Sequence, residues 1–161
     1  MAGTSSPVSS PLAIPVAIPV MLLLGLTSCS PPPAASQPQT ITIMAHDYAF
    51  VLPDSLRPGA TAFRLENVGK VRHEAFVLLL KPGLNMAQLF DSVKVTGSPE
   101  AAVDQTLGVL MARPGVTSSG TLLADLLPGR TYVLVCTFRD GPQDRPHFEL
   151  GMMASRTTSS S

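Results

Sequence analysis

From Thr40 onward the chain alternates. Thr40-Ile-Thr-Ile-Met-Ala45 sets polar and apolar side chains in turn, the period of a strand with one buried face. Tyr48-Ala-Phe50 continues that pattern as an extension of the same strand. Pro53 and Pro58-Gly59 interrupt it, and Thr61 to Glu66 alternates again before the turn at Asn67-Val68-Gly69. His73 to Leu80 is a strand rich in apolar residues, closed by Lys81-Pro82-Gly83. Asn85 to Val95 changes period: Met86, Leu89 and Phe90 fall on one helical face. Pro99 to Val103 reads as the start of a second short helix, with Pro99 in its first turn. Leu107 to Ala112 fits strand or helix. Thr121 to Leu127, Thr131 to Phe138 and Phe148 to Ala154 read as the remaining strands.

Six or seven short strands with Pro-Gly turns and one helical insertion fit an all-β sandwich. The chain has no internal repeat, and no GxGxxG, Walker loop, HExxH, CxxC or G-x-S-x-G elbow. An enzyme is therefore not expected. The formal net charge of zero speaks against a nucleic-acid binder and a polybasic membrane-surface protein.

Charge placement divides the chain. All 11 basic and 11 acidic residues lie between Asp47 and Arg156, while the first 46 residues hold eight of the 16 prolines. Leu12 to Leu26 is an uncharged run of 15 residues, too short for a membrane span of about 20 but long enough for the apolar part of an export signal. Leu26-Thr27-Ser28-Cys29 follows it and resembles a bacterial lipoprotein signal, which implies that Cys29 is lipidated and becomes the new N-terminus. Met1 to Pro11 lacks the Lys or Arg usual at the start of a signal. The expected organisation is an export signal over 1–28, a Pro/Ser-rich tether over 29–39, a domain over 40–156 and a disordered tail over 157–161. Export to the periplasmic side of a bacterial membrane follows, with the lipid as anchor.

With Cys29 carrying a lipid, Cys136 has no partner for a disulfide. A lone exported thiol needs an explanation. His73, Cys136, His147 and Met152 supply one. Two imidazoles, a thiolate and a thioether are the ligand set of a blue-copper site, and they occur here as a distant His followed by Cys-x₁₀-His-x₄-Met. His46 has no motif around it and reads as a strand residue. Met153 competes with Met152, and the His-x₄-Met spacing favours Met152. Met44, Met86 and Met111 read as packing residues. Asp140, Asp144, Arg139 and Arg145 read as a solvated loop of alternating charge.

These segments resemble the cupredoxins, the plastocyanin- and azurin-like blue copper proteins. Asn67-Val68-Gly69 followed by His73 is similar to their first-histidine motif. Pro128 to Cys136 resembles the strand leading to the copper cysteine, and Pro146-His147-Phe148 with Gly151-Met152 the second histidine and axial methionine. The resemblance spans residues 40 to 156. It implies a cupredoxin-like Greek-key β-sandwich, one copper ion cycling between Cu(I) and Cu(II), and one-electron transfer to a redox partner protein. It further implies His147 as the exposed edge through which electrons pass; the chain is expected to be a monomer. Rival readings are a copper carrier or scavenger, and a metal-free β-sandwich binding module. The chain departs from the family twice. Ten residues separate Cys136 from His147 where familiar members have only a few. Glu74 stands where plastocyanins and azurins carry an Asn that braces the cysteine loop, and it reads as an outward strand-edge charge.

Overall fold

The computed structural model describes residues 37–160, together with Met1 and Gly3. The export signal, Cys29 and the tether up to residue 36 therefore lie outside the described residues, except for Met1 and Gly3 within the signal.

Eight strands form two sheets. β1 (Gln39–His46), β2 (Ala49–Val51), β3 (Gly59–Asn67) and β6 (Leu122–Leu126) make one, in the order β2-β1-β3-β6. β4 (His73–Leu80), β5 (Val103–Ala112), β7 (Thr131–Val135) and β8 (Met153–Thr157) make the other, in the order β5-β4-β7-β8. β1 and β3 run parallel; every other pair is antiparallel. The chain crosses between sheets from β3 to β4, β5 to β6 and β6 to β7, so β6 comes to lie beside β3 and β7 beside β4. This is the Greek-key sandwich that the strand pattern and the resemblance suggest.

The core follows from the alternation. Ile41, Ile43 and Ala45 of β1 and Phe63 and Leu65 of β3 face Ala75, Leu79, Tyr132 and Leu134 of the opposite sheet. Each large apolar side chain buried there contributes about 1.5–3 kcal/mol. β7 is apolar at consecutive positions because both of its faces are covered. Tyr132, Leu134 and Cys136 point into the space between the sheets, whereas Val133 and Val135 pack with Leu80 and Leu89 under the helix α1 (Met86–Thr96). The helix begins with a capping box, Asn85 and Gln88 each accepting from the other's backbone N–H. It ends at Gly97, whose φ of 74° gives the left-handed cap that glycine adopts without steric cost. No helix among the described residues is long and apolar enough to cross a membrane.

Several boundaries differ from the sequence reading. Tyr48-Ala-Phe50 does not extend β1: the chain turns at Asp47-Tyr48 and β2 pairs back on β1, with His46 opposite Ala49. Pro99 to Val103 is a turn, not a helix, in which the Ala102 and Val103 amides donate to the Pro99 carbonyl before β5 begins. The last strand starts at Met153, because His147–Leu150 forms a short 3-10 helix and Gly151 breaks the extended path at φ 105°. Thr157 and Thr158 are not tail. Thr157 closes β8, and the buried Thr158 hydroxyl donates to the Leu127 carbonyl.

Candidate metal centre

The first histidine owes its place to the loop before it. Asn67, at the end of β3, is buried and uses its whole amide. Its Nδ2 donates to the carbonyls of Val71 and Ala112, and its Oδ1 accepts from the Gly69 amide at 2.9 Å. Asp47 closes the loop from the other side, accepting from the Lys70 amide at 2.6 Å. A Cβ on Gly69 would collide with Asp47 Oδ1 and stand 3.1 Å from His73 Nε2. The Asn-x-Gly motif is thus a tight turn over the back of the imidazole. His73 then opens β4 with its side chain fully buried. Its Nε2 has no hydrogen-bond partner, the nearest carboxylate oxygen being Asp47 Oδ1 at 3.7 Å. Burial holds the imidazole below its ordinary pKa.

Cys136 follows β7 directly, on the face that Tyr132 and Leu134 present to the core, and is 0% exposed. Both of its backbone groups are paired with the segment that follows the loop, the amide donating to Met152 O and the carbonyl accepting from the Phe148 amide. The Glu74 amide points at Sγ at 3.5 Å. Burial pushes the thiol pKa up, and the backbone N–H groups of Glu74 and Phe138 work against it. Glu74 is not an outward charge. It is 8% exposed, and its Oε1 accepts from both the amide and the hydroxyl of Thr137, the residue after the cysteine. It therefore braces the cysteine loop with a carboxylate.

The second histidine lies beyond the ten-residue loop, which folds back so that the His147 amide donates to Phe138 O at 2.8 Å. His147 opens the 3-10 helix, and the Met152 amide donates back to its carbonyl. The resemblance implies an exposed edge here, and the structure corrects that: His147 is 1% exposed. The ring of Tyr48 stands edge-on to it with centroids 5.0 Å apart. Asp140, from the loop itself, lies between the two. Its Oδ1 is 3.1 Å from His147 Nε2, and its Oδ2 accepts from the Tyr48 hydroxyl at 2.6 Å. Asp140 is therefore not part of a merely solvated loop. The Tyr48 hydrogen bond, more than its partial burial, sets its balance and keeps its carboxyl below the usual range. Tyr48 has φ 63°, a conformation that costs a bulky residue about 1–3 kcal/mol and persists only where its surroundings impose it.

His73, Cys136 and His147 thus converge, with one ligand atom from each lying within 4.8 Å of the others. His73 Nδ1 and His147 Nδ1 are 3.3 Å apart, and Cys136 Sγ is 3.5 Å from His147 Nδ1. Nitrogen and sulfur ligands at about 2.0–2.3 Å from a shared ion in a trigonal plane would stand about 3.5–3.7 Å apart. The donor set is soft sulfur plus imidazole, facing a common point and buried. It fits a copper ion. Met152 is fully buried in the same core cluster as Cys136. Met153 begins β8, half-buried, and His46 is exposed and outside the cluster. Met44 and Met111 are exposed on strand surfaces and do not pack the core.

No family model matches the chain, and no curated protein does. Among solved structures it is similar to dithionite-reduced auracyanin of the photosynthetic bacterium Roseiflexus castenholzii, with 18% identity, 77% of this chain and 99% of that one covered, and a TM-score of 0.47. Auracyanin B is 20% identical over 78% of this chain and 92% of its own, with a TM-score of 0.47. Auracyanin A, a blue copper protein of the green thermophilic photosynthetic bacterium Chloroflexus aurantiacus, is 22% identical over 76% of this chain and 100% of its own, with a TM-score of 0.45.

Proposed function

We propose that this chain is a cupredoxin-like copper protein that carries single electrons on the outer side of a bacterial membrane, tethered there by a lipid on Cys29. The observation that carries the copper reading is the buried convergence of His73 Nδ1, Cys136 Sγ and His147 Nδ1. His73, Cys136 and His147 would hold the ion, with the Met152 thioether as a fourth ligand. Copper bound there would supply one-electron Cu(I)/Cu(II) chemistry. The protein's part is to hold the donors still. β4 and β7 fix His73 and Cys136 in neighbouring positions of one sheet, and the Glu74 amide supports the sulfur. A donor geometry that barely moves keeps the barrier to electron transfer low. Cys136 must give up its proton on metal binding, and its raised pKa makes copper uptake weaken as the pH falls.

Adding Cu(II) to the purified chain should give an intense blue or green thiolate-to-copper absorption, and Cys136→Ser should remove it. A colourless protein holding one equivalent of Cu(I) would mark a carrier instead. A chain that retains no copper would overturn both readings. Cys29→Ser should release the protein from membranes, and an unchanged membrane fraction would refute the anchor.

A further inference from the structure

We infer that Asp140, held in place by Tyr48, is a positioning residue for His147: the pair pins the long Cys136–His147 loop to the β1–β2 turn and aims Nδ1 of His147 at Cys136. The purpose of the clamp rests on the copper reading above; its existence does not.

The two histidines are oriented by different means. His73 is the first residue of a strand and is seated under the Asn67-Val68-Gly69 turn, and its Nε2 makes no hydrogen bond. His147 ends a loop of ten residues, where the backbone alone leaves its ring free to turn. Its Nε2 meets a carboxylate oxygen at 3.1 Å. A carboxylate can only accept, so Nε2 carries a proton, and in the neutral ring Nδ1 then presents its lone pair. Nδ1 is the atom 3.5 Å from Cys136 Sγ and 3.3 Å from His73 Nδ1. A carboxylate behind a histidine ligand fixes its tautomer and ring orientation.

Asp140 could not do this as a free loop residue. Its other oxygen accepts from the Tyr48 hydroxyl, a contact spanning 92 positions of sequence. Tyr48 in turn occupies the second position of the two-residue turn between β1 and β2. It sits there at φ 63°, where glycine or asparagine is the usual occupant. That turn sets the Tyr48 ring against His147 and its hydroxyl on Asp140. Tyrosine, carboxylate and imidazole form one chain from the rigid sheet to the loop-borne ligand.

The test uses the metal-free chain first. Imidazole ¹⁵N spectra at about pH 8, above the ordinary histidine pKa, should show His147 as a single Nε2–H tautomer. Asp140→Ala should give a mixture of tautomers. Asp140→Asn keeps an oxygen that accepts from Nε2–H and should restore the single form. Tyr48→Phe keeps the ring and removes only the hydroxyl, so it should shift the tautomer balance in the same direction as Asp140→Ala by a smaller amount. With copper added, Asp140→Ala should bind about 10–100-fold more weakly than the unaltered chain. An unchanged His147 tautomer in Asp140→Ala overturns the clamp, whatever copper does. Scrambled tautomers in that variant, with no copper bound even by the unaltered chain, keep the clamp and sink the copper reading.

Discussion

The site has a strand-borne side and a loop-borne side, and they are built differently. His73 and Cys136 sit on β4 and at the end of β7, adjacent strands whose register sets Phe76 opposite Val135. Their positions follow from the packing of the whole sandwich, since Leu79, Leu134 and Cys136 belong to one buried cluster. His147 has no ladder beneath it. Separate contacts stand in for one, among them Glu74 on Thr137, the His147 amide on Phe138, Asp140 on Tyr48 and on His147, and the Met152 amide on His147. A ligand on a strand inherits its precision from the fold, and a ligand on a long loop requires dedicated pins. Damage to the first side should therefore unfold the protein, and damage to the second should loosen the site alone.

The largest effect belongs to the strand side. Leu134→Ala removes a buried side chain two residues before Cys136 on the same face of β7. It should cost about 2–5 kcal/mol in denaturant unfolding, with copper binding lost in step. A loss below about 1 kcal/mol would mean that β7 is not held by the core as described. Glu74→Ala comes next, because it acts where the two sides join. Losing Oε1 leaves the Thr137 amide and hydroxyl without their partner, at a cost of about 1–3 kcal/mol. Glu74→Gln keeps an acceptor oxygen and should recover most of that stability; equal losses in the two variants would show that hydrogen bonding at Thr137 is not what Glu74 contributes.

The pH dependence of the metal-free protein is gentler and touches both sides. Burial keeps the His73 pKa below 6.5 in the fold. As the pH falls below 6.5, the unfolded chain takes up a proton that the folded chain refuses, so stability declines. Asp47 and Asp140 have carboxyl pKa values below 3.8, chiefly through the Lys70 amide and the Tyr48 hydroxyl, so their contribution is lost at still lower pH. Burial raises the Cys136 pKa above 9.0; above that pH the unfolded chain sheds a proton that the fold retains, and stability declines again. Urea midpoints should peak between about pH 6.5 and 9. A midpoint that climbs as the pH drops through 6.5 would contradict the buried neutral imidazole.

The same division explains what the amino-acid pattern reveals. Strands marked by an apolar run between turn residues are legible: His73–Leu80 has the predicted bounds, and the helix begins one residue after its cap, Asn85. The strand-borne donors were legible too, because a histidine after Asn-x-Gly and a cysteine ending an apolar run mark the ends of elements. The loop-borne contacts were not. Asp140 and Asp144 look alike in sequence, and nothing local ties Asp140 to a tyrosine 92 residues earlier. Tyr48-Ala-Phe50 continues an alternating pattern, so period alone hid the turn at Asp47-Tyr48. The one available signal was polar: an Asp followed by an aromatic residue, interrupting an apolar alternation, is a candidate turn. Glu74 reads as an outward charge because a carboxylate next to a buried histidine has no partner within its own strand; Thr137 is 63 positions away.

The smallest expected effect tests the loop-borne side most sharply. Asp144 lies four residues beyond Asp140 in the same loop and is exposed. Its backbone carbonyl accepts from Arg139, a contact that a side-chain substitution leaves in place. Its carboxylate makes no hydrogen bond to His147 or Tyr48, in contrast to Asp140. Asp144→Asn should change unfolding stability by no more than about 0.5 kcal/mol, and both copper affinity and the His147 tautomer should stay as they are. If Asp144→Asn weakens copper as much as Asp140→Ala does, the loop acts through its total negative charge. The comparison then changes character, because the histidine on the loop would be held by a diffuse field instead of one directed hydrogen bond.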